Sequence, residues 1–85
     1  MNGKLHVGNL PASATAADLR LKFEQFGRVL SVTLDTDATT GRSRRSGLVE
    51  MEGRAEAQAA IDRLNMTQYE DMVISVYHVR LERSA

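Results

Sequence analysis

The 85-residue chain is long enough for one domain and too short for two, since neither half would bury the apolar surface needed to offset its ordering entropy. Hydrophobic residues at 42% and charged residues at 26% describe a chain that folds throughout, and the absence of cysteine excludes a disulfide framework and thiolate metal sites. Net charge is zero and the pI is about 6.7, which excludes a domain held to a polyanion by overall charge and leaves only a local basic patch for that purpose.

No run approaches the roughly 20 apolar residues of a membrane span, and the polar opening Met1-Asn2-Gly3-Lys4 is followed by no signal-peptide core. A cytoplasmic protein with no membrane association is expected. In chain order, Leu5-His6-Val7-Gly8-Asn9-Leu10 alternates and is halted by Pro11, predicting a short strand with Leu5 and Val7 towards the core. Thr15 and Asp18 form a capping pair that opens a helix, along which Leu19, Phe23 and Phe26 make one apolar stripe, with Gly27 closing it. Val29 to Leu34 is rich in β-branched residues and reads as a second strand, and Asp35 to Gly41, dense in Asp, Thr and Gly, as a flexible turn.

Ser46-Gly47 leads into a third strand, Leu48-Val49-Glu50-Met51, and Gly53 breaks it before a second helix from Arg54 to Leu64. On that helix Ala57, Ala60, Ile61 and Leu64 share the apolar face, while Arg54, Gln58 and Asp62 face water. Tyr69 falls before the last strand and is placed at the bottom of the core. Met72 to Arg80 alternates as a fourth strand, with Ile74 and Val76 on one side and Ser75 and Tyr77 on the other. The order β-α-β-β-α-β predicts an α+β, ferredoxin-like sandwich: a four-stranded antiparallel sheet with both helices on one face, a single domain with its core at about residues 3–81. The other sheet face is left for a partner.

Several segments together resemble the RNA-recognition-motif family over nearly the whole chain. Leu5-His6-Val7-Gly8-Asn9-Leu10-Pro11 is similar to its hexapeptide motif, and Asp18-Leu19, Phe23, Phe26-Gly27 and Val29 to its first helix and second strand. Thr40 to Met51 aligns with the octapeptide motif and its lead-in, and Ala57, Ala60-Ile61 and Leu64-Asn65 complete the pattern. The resemblance implies binding of single-stranded RNA, or single-stranded DNA by the same chemistry, across the open sheet face.

In that family bases stack on aromatics in the second place of the hexapeptide and in the third and fifth places of the octapeptide. Here those places hold His6, Ser46 and Leu48; the usual second-place glycine of the octapeptide is Arg45, its final aromatic is Met51, and only Arg44 keeps the basic first place. With stacking worth roughly 1–3 kcal/mol per base, two missing platforms imply about 2–6 kcal/mol of lost affinity, hence weak, salt-dependent binding.

The candidate contacts are His6, which can stack or, when protonated, pair with phosphate; Tyr77, a displaced platform or an edge tyrosine packing on the chain end; and Leu48 and Ser46 in mid-sheet. Arg42, Arg44 and Arg45 form the basic loop, a phosphate clamp or a solvated turn, with Lys4, Arg80 and Arg83 as its extension or as ordinary solvated charges. The rival reading is a protein-interaction domain, binding a peptide or a second copy through Leu48 and its neighbours; the Arg-x-Phe signature of the peptide-binding subclass is absent from Met66-Thr67-Gln68-Tyr69-Glu70. No nucleophile elbow, phosphate-cradling glycine loop or HExxH motif is present, so no catalytic residue, cofactor or metal site is expected, and His6 and His78 fall on opposite strand faces. A monomer without a second binding tail is the expected state.

Overall fold

Alternation sorts the first strand, β1 (Gly3–Gly8), into a fully buried pair, Leu5 and Val7, and an outward set, Lys4 and His6. In the computed structural model, which describes residues 3–37, 39–41 and 43–79, with only the backbone described for Ser43 and Arg44, β1 is followed by α1 (Ala16–Glu24), β2 (Val29–Thr36), β3 (Ser43–Met51) and α2 (Arg54–Leu64). A small hairpin of β4 (Gln68–Tyr69) and β5 (Met72–Val73) precedes β6 (Ser75–His78). The main sheet has the order β2-β3-β1-β6 with every pair antiparallel, which is the expected α+β plan.

Leu19 and Phe23 from α1 and Ala57 and Ala60 from α2 meet Leu5, Val7, Val49, Met51 and Val76 of the sheet in one buried cluster, so both helices cover the same face. The approach is close. A Cβ on Gly3 would lie 2.5 Å from the Ala57 Cβ, so a larger residue at either position would separate α2 from β1. At the start of α1 the Thr15 hydroxyl accepts the Asp18 N–H at 3.1 Å, the capping arrangement expected. The helix stops earlier than the stripe suggests, at Glu24 with Gln25 as its cap, and Phe26 is only half-buried.

Tyr69 is buried as expected, and its phenol lies against Asp18. Burial, followed by the Asp18 carboxylate, pushes its pKa up to about 12. The proton is held more tightly in the folded chain than in the unfolded one, so stability is intact below the ordinary tyrosine value and falls as pH rises towards 12. In a Tyr77→Phe variant, which leaves Tyr69 as the sole tyrosine, ultraviolet titration should find the phenol ionising near 12, with loss of stability above about pH 10. The Lys22 ammonium 4.5 Å above the Tyr69 ring and a 2.8 Å bond from Ser13 to Glu70 tie α1 and its approach to the same hairpin.

Two strands are longer than the sequence pattern indicates, which shortens the turn between them. Asp37 organises it: its carboxylate accepts the N–H groups of Thr39 at 2.8 Å and Thr40 at 3.0 Å. Those two bonds, Thr40's first, hold the Asp37 carboxyl below its ordinary value, so this turn loosens only as pH falls through that lowered value. The predicted fourth strand is interrupted instead of running unbroken from Met72, because Glu70 turns the chain with φ 56° and Met72 and Val73 pair back onto Tyr69 and Gln68. Arg80, its predicted end, lies outside the described residues.

Between the pairs Leu34–Gly47 and Thr36–Ser43, β2 advances two residues while β3 advances four, a bulge in which Arg45 takes φ 63°. Its carbonyl accepts the Leu10 N–H at 2.9 Å, pinning the bulge to the segment after β1. A left-handed conformation costs a side-chain-bearing residue about 1–2 kcal/mol, partly offset in glycine by greater unfolded-state entropy. Arg45→Gly should therefore raise stability by roughly 0.5–1 kcal/mol, read as a higher urea midpoint at unchanged slope.

Candidate nucleic-acid interface

Register places four side chains in one row across the sheet face opposite the helices. Thr33 pairs with Leu48, Leu48 with His6, and His6 with Tyr77. The row beside it runs Ser31, Glu50, Lys4, with Lys4 exposed. The sheet thus brings together three expected contacts, His6, Leu48 and Tyr77, and sets Lys4 next to them.

His6 and Tyr77 are not independent platforms. Their rings stack on each other, 4.9 Å between centroids and 29° between planes, so each gives one face to the other and the pair presents a single composite surface. Tyr77 is 52% exposed and forms the accessible part of it. His6 leans along β1 so that its ring lies over Gly8, at ordinary contact distance from where a Cβ there would stand, and among the described residues its Nδ1 is buried with no hydrogen-bond partner. Leu48, half-buried between Thr33 and His6, supplies an apolar floor.

Ser46 is engaged within the protein, donating its hydroxyl to Asp35 Oδ2 at 2.9 Å. The sequence pattern puts Asp35 in the turn, because aspartate next to Thr and Asp is a turn signal. It belongs to β2 and shares the parity of Ser31 and Thr33, which is the pattern that identifies it as a face residue. Arg45 is exposed at the bulge, where the backbone conformation sets the direction in which its side chain leaves the sheet. Arg44 is placed on β3 by its backbone, while Arg42, Arg80 and Arg83 lie outside the described residues.

His78 takes the helix side of the sheet, with Nε2 3.0 Å from Gln58 Oε1, and so is separated from His6 by the sheet as expected. Among the described residues no three His, Cys, Asp or Glu side chains are grouped to hold a metal ion, and no helix is long and apolar enough to cross a membrane.

Comparison with known proteins gives consistent findings. The RNA recognition motif profile matches residues 5–75. RbpE of Nostoc sp. strain PCC 7120 is 42% identical over 76 residues, covering 89% of this chain and 77% of its own length. The crystal structure of RNA binding protein PG1 superposes with a TM-score of 0.89 at 36% identity, over 98% of this chain and 99% of that one. A complex of the Sxl-lethal protein with RNA gives 0.85 at 33% identity, over 91% of this chain and 47% of that one. On these matches and this topology, the chain belongs to the RNA recognition motif family.

Proposed function

We propose that the protein binds single-stranded RNA on its open sheet face, weakly, with bases against the composite His6–Tyr77 surface and Leu48 and with phosphates on the basic segment at Arg44 and Arg45. The observation that carries this reading is the row Thr33, Leu48, His6, Tyr77 on the sheet face opposite the two helices, which pack the other face into the core. One stacking surface in place of several, in a chain with no net charge, argues for micromolar or weaker affinity with a large phosphate contribution. The same surface would accept single-stranded DNA. A cytoplasmic monomer that acts by binding and performs no catalysis fits this reading, and a protein-docking role is less favoured because Leu48 is bordered by Thr33 and His6 and not by further apolar surface.

The test is fluorescence anisotropy of short labelled RNAs between about 50 and 200 mM salt. Affinity should fall steeply over that range, Arg44→Ala with Arg45→Ala should flatten the slope, and Leu48→Phe, which restores a stacking ring beside His6, should tighten binding by about 5- to 150-fold. Tight, salt-independent binding by the wild type, or no gain from Leu48→Phe, would contradict the proposal.

A further inference from the structure

An aspartate on a face that meets a polyanion is unfavourable unless it looks towards something other than phosphate. Asp35 is exposed at the β2 side of the open face, and the Ser46 hydroxyl fixes its carboxylate by donating to Oδ2. Ser46 occupies the place where the family stacks a base, so the chain has exchanged a ring for an oriented acceptor beside the apolar floor of Leu48. We infer that Asp35, held by Ser46, reads the Watson–Crick edge of a guanine lying over Leu48.

The choice of base follows from donor pattern. A carboxylate offers two oxygens with about four lone-pair sites, so Oδ2 can keep the serine bond and still accept another hydrogen bond alongside Oδ1. Guanine alone among the four RNA bases presents two adjacent donors on this edge, its ring N1–H and its amino group, in the parallel geometry that matches both oxygens. Adenine and cytosine offer an amino group beside a ring-nitrogen acceptor, which repels the second oxygen. Uracil flanks its single N–H with two carbonyls, the poorest match of the four. The Asp35 charge therefore rejects uracil and favours guanine, giving the face a base preference that its missing aromatics do not supply.

This inference rests on RNA binding by the sheet face, and the experiment separates the two. Anisotropy is measured for an all-uridine oligomer and for versions with one central guanosine, inosine, adenosine or cytidine, against the wild type, Asp35→Asn and Ser46→Ala. The wild type should prefer the guanosine oligomer to all-uridine by about 5- to 150-fold, with inosine, which lacks the amino donor, between them. Asp35→Asn should abolish the preference while all-uridine binding holds or improves, as a negative charge is removed from the face. Ser46→Ala should reduce the preference without abolishing it. Binding of every oligomer with equal affinity, or a guanosine preference that survives Asp35→Asn, overturns this inference and leaves the RNA reading standing; absence of binding to all of them overturns the RNA reading itself.

Discussion

Replacing Tyr77 with alanine is expected to weaken RNA binding by about 5- to 150-fold, the equivalent of roughly 1–3 kcal/mol for one stacked base. Tyr77 is the exposed half of the His6–Tyr77 stack, and without it only the partly buried ring of His6 is left on the described face. Tyr77→Phe should bind nearly as well as the wild type, because the ring face and not the hydroxyl does the stacking. His6→Ala should also weaken binding, but the two losses should not add: removing either ring exposes the inner face of the other, and a double-mutant cycle should show a coupling of about 0.5–1.5 kcal/mol. Full additivity would mean that the rings act as separate platforms.

Phe23→Ala is expected to have the largest effect on stability, a loss of about 3–5 kcal/mol. Phe23 is fully buried in the cluster that joins α1 to the sheet, and among the described residues it is the largest side chain to be so. A domain of this length holds on the order of 4–13 kcal/mol in total, so that loss removes roughly a quarter or more of it and can unfold the chain outright. Urea denaturation followed by circular dichroism checks the value, and Phe23→Leu, which keeps most of the volume, should cost much less. A cost below about 1 kcal/mol for Phe23→Ala would mean that the core is not packed as described.

The parts legible in the sequence were those in which burial on one side imposes a period. Leu5 and Val7, Ile74 and Val76, and the Ala57–Ala60 face of α2 declare themselves because a slip of one residue would expose them. Features held by single backbone conformations were not legible. Nothing in an arginine-rich run marks Arg45 as left-handed, and strands of two residues, as in the Gln68–Val73 hairpin, are shorter than any alternation can define. The candidate site divides in the same way. His6, Leu48 and Tyr77 follow from strand parity and register, whereas the stacking of His6 on Tyr77 is a matter of side-chain conformation that parity does not fix, and Asp35 was hidden by a composition that signals turns.

The central claim, that the open sheet face is where RNA binds, is tested most directly by amide-shift NMR titration of the full chain with a mixed pool of short single-stranded RNAs at low and then moderate salt. Shifts at Thr33, His6, Gly47, Leu48 and Tyr77 that fade as salt is raised, with Asp62 and Arg63, exposed on α2, unmoved, are the predicted result. No shifts at either salt, or shifts centred on the helices, would contradict it.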